Sequence, residues 1–204
     1  MLLIGLTGSI GMGKSTAAQR FRQSGIPVID ADALVHELYA GDAVAAIEAA
    51  FPGVATGGRV DRQKLSQRLL AEPVKFKILE QIVHPLVQAA EREALHTANA
   101  SGAAMVVLEV PLLFETGGEK RVDVTVVVSA PPDIQRARVL ARPGMTPEKA
   151  EAIVKRQLSD AEKRKRSDFV VDTGGEIAAA EAQVDAIIVK LRGRSGTAFT
   201  KYWI

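Results

Sequence analysis

The chain has 204 residues, of which 47% are apolar and 25% are charged, a composition typical of a packed globular fold rather than a disordered segment. It contains no cysteine, which excludes disulfides, thiol nucleophiles and cysteine metal sites, and this fits a reducing compartment. No apolar run approaches the roughly 20 residues of a membrane helix, and glycine interrupts the amino-terminal apolar run too early for a signal peptide. We therefore expect a soluble, cytoplasmic protein.

The formal net charge is only +2, but the charge is unevenly distributed. Between Arg136 and Arg166 there are ten basic residues and only four acidic ones. A basic segment on an otherwise mildly acidic chain suits a polyanionic ligand of limited size. Aromatic residues make up 4% of the chain, which leaves few stacking platforms for nucleic acid, so we expect no nucleic-acid partner.

Short apolar runs rich in β-branched residues alternate with helical patterns along the chain. Strands are predicted at 2–7, 26–30, 104–110, 123–129 and 168–172, and helices at about 14–24, 31–50, 61–71, 73–83, 85–99, 132–142, 147–165 and 176–192. This alternation predicts a doubly wound α/β fold with a parallel five-stranded sheet and helices on both faces.

Several residues mark the ends of the predicted helices. Asp61 is a plausible N-cap, Thr146 followed by Pro147 favours a helix start, and Pro85 is expected to break or restart a helix. Because the stretch 61–99 is too long for a simple crossover, we expect a small helical subdomain at about 61–100 inserted into a core at about 1–60 and 101–192.

The glycine-rich turn after the first strand matches the pattern G-x-x-x-x-G-K-[ST] at Gly8, Gly13, Lys14 and Ser15. Glycines let the backbone N–H groups converge on an anion, and the following helix adds the positive end of its dipole. Lys14 is then expected to contact the β- and γ-phosphates, and Ser15 to offer its hydroxyl to Mg²⁺. The motif in this context predicts a P-loop fold that binds a nucleoside triphosphate.

Other P-loop classes lack support in the sequence. No N-K-x-D base-reading motif of a GTPase is present, and the signature segment of a transporter ATPase is also missing. Small-molecule kinases, with an acceptor pocket and a mobile lid, are left as the most fitting class.

Two aspartates follow the second predicted strand. Asp30 ends the strand and Asp32 lies at the start of the next helix, at the sheet edge where ligands gather. Asp32 is a candidate for orienting an acceptor hydroxyl or accepting its proton. The alternative is that Asp30 or Asp32 only caps the helix, and the two roles could also be divided between them.

Basic residues of the segment 136–166 are candidates for closing over the nucleotide. Arg138 and Arg142 lie four residues apart on one predicted helix face, where they either neutralise phosphate charge or form a solvated surface. Arg156 is a further candidate, whereas the run Lys163 to Arg166 is expected to lie on the surface.

The segment after the third strand supplies further candidates. Glu109 is placed to hold a magnesium-bound water, or else it is only a buried strand end. Pro111 is expected to force the turn, and Leu112, Leu113 and Phe114 to form an apolar wall, with Pro111 and Leu112 as candidates for contacting the acceptor. The three histidines have no metal-ligand spacing and are expected to be structural, although His84 could line the acceptor pocket.

Taken together, these motifs resemble the dephospho-coenzyme A kinase family, in order from the first strand to about residue 175. The matching segments are GLTGSIGMGKST, VIDAD, VHPLV, VPLLFE, the pair Arg138 and Arg142, and VVDTGG. The resemblance implies transfer of a phosphoryl group from ATP, with Mg²⁺, to the 3′-hydroxyl of dephospho-coenzyme A. A nucleoside or nucleotide kinase of similar architecture is the alternative.

The resemblance also implies roles for individual residues. Asp32 would be the catalytic aspartate, Lys14, Arg138 and Arg142 would act on the phosphates, and a lid would lie at about 138–150. Contacts to ATP would come from Gly8, Gly11, Met12, Gly13, Lys14, Ser15, Thr16 and, on the adenine side, Gly174. The helical subdomain would bind the acceptor, and the protein is expected to be a monomer or a weak homo-oligomer.

The chain departs from the family pattern at three positions and in its tail. Ser9 and Met12 replace a common glycine and serine, and both side chains are expected to point away from the phosphates. Glu109 replaces a frequent aspartate, which weakens its assignment to magnesium. The tail 193–204 matches no motif, and Tyr202 and Trp203 are expected to pack on the surface.

Overall fold

A computed structural model describes all 204 residues. Its central five-stranded sheet has the strand order β2-β5-β1-β6-β7. Strand β1 pairs in parallel with β5 and with β6, and β6 pairs in parallel with β7. The strands of this sheet are β1 (Leu2–Thr7), β2 (Val28–Asp30), β5 (Met105–Glu109), β6 (Val124–Ser129) and β7 (Phe169–Asp172); a separate antiparallel pair is formed by β3 (Ala55–Thr56) and β4 (Arg59–Val60).

Ten α-helices accompany the strands, and the predicted α/β class is confirmed. They are α1 (Lys14–Gln23), α2 (Ala31–Leu38), α3 (Val44–Ala50), α4 (Arg62–Ala71), α5 (Phe76–Ala100), α6 (Pro132–Leu140), α7 (Pro147–Lys155), α8 (Asp160–Arg166), α9 (Ile177–Leu191) and α10 (Ala198–Tyr202). Asp61 and Thr146 cap α4 and α7 as predicted: Asp61 accepts two N–H groups of the first turn, and Thr146 accepts one, that of Lys149. None of the helices is long and apolar enough to cross a membrane.

Helices cover both faces of the sheet. Alternate residues of a strand point to opposite faces, so strand β1 contributes to two apolar clusters. On one face Leu2, Ile4 and Leu6 pack with residues of α1 and α9, whereas Leu3 on the other face packs with the end of α5 and with α10. Helix α1, which follows the glycine-rich turn, is fixed to α9 by a bidentate ion pair from Arg20 to Asp185, at 2.7 and 2.6 Å. The hydrogen bond from Arg20 lowers the pKa of the Asp185 carboxyl below its usual value.

The chain forms two compact units, one of Met1–Ile29 with Leu95–Ile204 and one of Asp30–Ala94. The second unit therefore begins before the insert expected at about 61–100. Its own apolar core explains the difference, since Leu38 and Ile47 bury their side chains in the same cluster as Leu65 and Leu69. Residues before and after position 61 therefore belong to the same unit, because they share one apolar core.

The predicted helices differ from the structure in three places. The stretch 31–50 is two helices, α2 and α3, separated by a turn that contains Gly41, the residue type with the lowest helix propensity after proline. Pro85 does not break or restart a helix; it is exposed and lies inside α5, between the buried residues Val83 and Leu95. The stretch 147–165 is also two helices, because the Ser159 side chain starts α8 by accepting from the N–H of Glu162.

The carboxyl-terminal tail is part of the core, so the expected surface position of Trp203 is wrong. Trp203 is 2% exposed, and its indole N–H donates to the carbonyl of Arg121 at 3.0 Å. The guanidinium of Arg121 also lies over the indole ring, 4.7 Å from its centroid, and a His96 ring nitrogen lies 3.0 Å from the Trp203 carbonyl. An indole that finds both an apolar site and a hydrogen-bond acceptor is stable inside a protein. Tyr202, in contrast, is exposed.

Candidate active site

The glycine-rich turn joins β1 to α1 in the first unit. It contains all of the predicted phosphate-binding residues at the amino end of the chain, namely Gly8, Gly11, Met12, Gly13, Lys14, Ser15 and Thr16. Gly13 is the N-cap of α1 with φ 82°, and no side chain caps the helix. The N–H groups of the first helical turn therefore have no side-chain partner and can serve an anion.

Gly11 also has a left-handed backbone, with φ 79°, and α6 packs directly on it. A Cβ atom at this position would lie 2.6 Å from Val139 Cγ2 and 2.9 Å from the carbonyl oxygen of Gln135. The turn thus requires glycine here both for its backbone conformation and for the close approach of α6.

Met12 contributes to the turn through contacts within the protein. Its side chain is 2% exposed, and the sulfur accepts the N–H of Ala130 at 3.1 Å. Its own N–H donates to the carbonyl of Ser9, and its carbonyl accepts the Thr173 hydroxyl at 2.7 Å. Ser9 and Met12 are both buried, so their side chains stabilise the turn through contacts inside the protein.

Lys14 and Glu109 form a close ion pair, with Nζ 2.7 Å from Oε1. The Glu109 side chain is 4% exposed, and its other oxygen lies 3.4 Å from the guanidinium of Arg22. No group of three or more acidic, histidine or cysteine side chains that could hold a metal is present anywhere in the chain. Magnesium that arrives with nucleotide needs few protein ligands, because the phosphates and water supply most of them, and the exposed Ser15 hydroxyl fits that requirement.

Arg138 is held beside the glycine-rich turn. Its guanidinium donates to the carbonyl of Thr173 at 2.7 Å, and Thr173 in turn contacts Met12. The predicted adenine-side residue Gly174 follows immediately, with its N–H bonded to the Asp172 carboxylate at 2.8 Å. The structure thus brings Arg138, the loop 172–175 and the glycine-rich turn together. Arg142 lies exposed just beyond the end of α6 and forms no side-chain hydrogen bond or ion pair.

The segment after β5 carries Pro111 and Leu112. The Pro111 carbonyl accepts the hydroxyl of Thr7, the last residue of β1, at 3.1 Å. Leu112 is 38% exposed, whereas the two residues that follow it are buried core residues. Of the predicted apolar wall, Leu112 is therefore the side chain that is available to a ligand.

The two aspartates after β2 have separate roles in the second unit. Asp30 is the N-cap of α2, and its carboxylate accepts the N–H groups of Asp32 and Ala33 at 2.9 and 3.3 Å. The Asp32 carboxylate is exposed in the first turn and forms no hydrogen bond or ion pair within the chain. Because Asp30 alone provides the cap, the side chain of Asp32 is free for another role. His84 is exposed on α5.

Comparison with known proteins agrees with this geometry. Residues 2–179 match the family model described as dephospho-CoA kinase. This chain belongs to the dephospho-CoA kinase family. It is 56% identical over 188 residues to the dephospho-CoA kinase of Rhodopseudomonas palustris, which covers 92% of this chain and 94% of that protein.

Solved structures give the same picture. The crystal structure of TT1252 from Thermus thermophilus is 38% identical, with a TM-score of 0.82, and the match covers 94% of this chain and 98% of that one. The dephospho-CoA kinase from Campylobacter jejuni is 22% identical, with a TM-score of 0.64 over 93% of this chain and 96% of that one, and it supports the fold.

Two glutamines that the sequence analysis did not identify hold this kinase's glycine-rich turn. Gln135 of α6 donates to the carbonyl of Ile10 at 2.8 Å, and Gln157, which follows α7, accepts the N–H of Ile10 at 3.1 Å. The segment between the two glutamines includes α7 and the expected lid at about 138–150. Both ends of this segment are therefore hydrogen-bonded to Ile10 of the turn. No motif or residue spacing in the sequence predicts such a contact.

The prediction that Lys163 lies on the surface is wrong. Its side chain is fully buried, and Nζ lies 2.9 Å from Glu115 Oε1 and 3.5 Å from the Pro111 carbonyl. Arg166, in the same run, is ion-paired with Glu119 at 2.6 Å and lies over the ring of Phe114. Lys163 and Arg166 thus hold the segment that follows β5, and only Lys163 departs from the expected surface position, because Arg164, Lys165 and Arg166 are exposed.

Proposed function

We propose that this chain transfers the γ-phosphoryl group of ATP to the 3′-hydroxyl of dephospho-coenzyme A, the last step of coenzyme A synthesis. The observation that carries the proposal is the family match over residues 2–179, together with 56% identity to a dephospho-CoA kinase over nearly the full length of both chains. We include a cytoplasmic location in the same proposal, because the reaction consumes ATP.

The nucleotide is assigned to the glycine-rich turn. N–H groups of the first turn of α1 would bind phosphate oxygens, and Lys14 would exchange Glu109 for the β- and γ-phosphates. Mg²⁺ bound to those phosphates would neutralise developing charge, and the Ser15 hydroxyl is its proposed protein ligand. Glu109 is the weaker candidate, because Lys14 and Arg22 already contact its oxygens.

Arg138 and Arg142 are assigned to the transferring phosphoryl group. An arginine that stabilises its charge contributes about 10³ to 10⁵ in rate in related P-loop enzymes. The hydrogen bonds of Arg138 to Thr173 support a position next to the turn, and the unpaired guanidinium of Arg142 is available for a phosphate.

Asp32 is assigned to the acceptor hydroxyl. Its carboxylate would orient the hydroxyl and take its proton as the new P–O bond forms and the bond to ADP breaks. The separate capping role of Asp30 supports this assignment, because α2 does not need the Asp32 carboxylate in order to begin. We assign His84, Pro111 and Leu112 to the acceptor on the weaker ground of their exposure or position after a sheet strand.

The first test is production of ADP that depends on dephospho-coenzyme A, with adenosine and AMP as competing acceptors. Asp32→Asn should lower kcat by about 10²-fold or more with little change in ATP binding, because general base groups contribute on that scale. Asp30→Asn is the matched control, since asparagine caps a helix as well as aspartate does. Absence of acceptor-dependent ADP would reject the proposed function. An equal loss of kcat in Asp32→Asn and Asp30→Asn would indicate that Asp32 has only a structural role.

A further inference from the structure

The second unit contains a cavity of about 370 Å³. It is formed by the carboxyl end of α2, by β4 and by the start of α4, and its main side chains are His36, Tyr39, Arg59, Asp61 and Arg62. The main-chain bond from the Val60 N–H to the Tyr39 carbonyl, at 2.8 Å, holds β4 against α2. The cavity is therefore part of a fixed arrangement within one compact unit.

The charge in this cavity favours an anion. The guanidinium groups of Arg59 and Arg62 are exposed and form no ion pair or hydrogen bond within the protein. The one carboxylate, on Asp61, caps α4 by accepting the N–H groups of Gln63 and Lys64 at 3.0 and 3.1 Å. Two unpaired arginines in a concave site are suited to phosphate, because the planar guanidinium binds phosphate oxygens in pairs.

The cavity also has an apolar side. Val60 is 7% exposed, and the half-buried ring of Tyr39 packs on the core of the unit. Burial raises the pKa of Tyr39, and the charge of Arg62 only partly opposes this, so the phenol stays neutral at physiological pH and adds no negative charge. The cavity lining therefore combines two arginines with an aromatic and an aliphatic side chain.

The position of His36 relates the cavity to Asp32. The two residues lie four positions apart on α2, so their side chains share one helix face, with about 5–6 Å between their Cβ atoms. An anionic group bound by Arg59 and Arg62 therefore lies along the helix face that carries the proposed catalytic aspartate.

We propose that this cavity binds the diphosphate of the acceptor, with Arg59 and Arg62 as its ligands. The inference rests on the proposed function, because dephospho-coenzyme A carries one diphosphate on the 5′ side of the ribose whose 3′-hydroxyl is phosphorylated. Binding the diphosphate one helical turn from Asp32 places that ribose next to its carboxylate. The cavity then selects acceptors that carry a phosphate beside the sugar alcohol.

The test compares Arg59→Ala and Arg62→Ala with Arg68→Ala, an exposed arginine of the same unit that lies outside the cavity. Each cavity variant should raise the KM for dephospho-coenzyme A by about tenfold, the effect of a lost charge-assisted hydrogen bond. The KM for ATP should stay unchanged. Adenosine, which has no phosphate, should inhibit the wild type and the variants with the same Ki when it competes with dephospho-coenzyme A at saturating ATP.

Two results would overturn the inference. An unchanged KM for dephospho-coenzyme A in both Arg59→Ala and Arg62→Ala would show that the acceptor does not use the cavity. Equal weakening of adenosine and dephospho-coenzyme A would show that the cavity binds the nucleoside instead of the diphosphate. Failure of the proposed function is distinguishable from both, because the wild type would then produce no acceptor-dependent ADP.

Discussion

Replacing Lys163 with methionine should destabilise the first unit by about 3–5 kcal/mol, the usual cost of removing one partner from a buried ion pair. The Lys163 side chain is fully buried, and the side chain of its partner Glu115 is only 14% exposed. Without Lys163, the Glu115 carboxylate keeps the N–H of Leu158, at 2.8 Å, as its hydrogen-bond donor. Its second oxygen is already buried without a partner, so water cannot easily compensate for the lost cation.

The chain has one tryptophan, Trp203, and it is buried in the same unit as Lys163, so its fluorescence reports the unfolding of that unit in urea. The matched control is Lys155→Met, which removes a pair with Glu151 whose side chains are 72% and 66% exposed. Exposed pairs contribute about 0–1 kcal/mol, so the control should shift the midpoint little. Adding Glu115→Gln to Lys163→Met should recover much of the loss, because no unpaired charge is then buried.

Two outcomes would refute this reasoning. If Lys163→Met is no less stable than Lys155→Met, burial does not make this pair more important than a surface pair. If the double variant is no more stable than Lys163→Met alone, the loss comes from packing of the lysine stem and not from the charge left on Glu115.

Two further predictions concern the turn and the second unit. Gln157→Met removes the acceptor of the Ile10 N–H and should raise the KM for ATP by about fivefold, the value of one hydrogen bond of about 1 kcal/mol, with no change in the KM for the acceptor. Gln157→Glu keeps an acceptor and is the comparison; if both variants match the wild type in steady-state kinetics, the contact does not position the turn. Hydrogen bonds from the N–H groups of Gly53 and Ala55 to Glu48 lower the pKa of its carboxyl below the ordinary 4.5. The folded-state pKa is depressed, so this contribution is present above pH 4.5 and is lost as the pH falls through the folded value. The protection factors of the Gly53 and Ala55 amides, which are exchange rates corrected for the intrinsic effect of pH, should therefore fall on acidification in the wild type. In Glu48→Gln they should already be low and should lack that pH dependence; the same pH profile of protection in the two proteins would contradict the prediction.

The features that sequence predicts well are local or periodic. The spacing of Gly8, Gly13 and Lys14 is enough to identify the phosphate-binding turn within one short segment, and the alternation of apolar strands with helices predicts the sheet. The sequence indicated that either Asp30 or Asp32 could cap α2. The choice between them required coordinates, because either carboxylate can reach N–H groups of a first helical turn.

The features that sequence did not predict depend on contacts between distant positions. Lys163 belongs to a run of four basic residues that reads as a solvated surface, yet it is buried because Glu115, 48 positions earlier, meets it. Gln157 reaches Ile10 across 147 positions, and Trp203 bonds to Arg121 across 82. Composition and periodicity describe one segment at a time, so they carry no information about which side chains such pairings bury.

Glu109 shows how a departure from the family pattern fits its surroundings. The resemblance implies an aspartate at this position, which weakened the assignment of Glu109 to magnesium. In the structure the longer side chain accepts two cations from α1, Lys14 at 2.7 Å and Arg22 at 3.4 Å. A buried carboxylate is stable only when a positive charge compensates it. If Lys14 left Glu109 to bind phosphate, an unpaired Glu109 would destabilise the protein. Arg22 offers a second cation to the same carboxylate, so Glu109 would stay paired if Lys14 moved to phosphate as we propose.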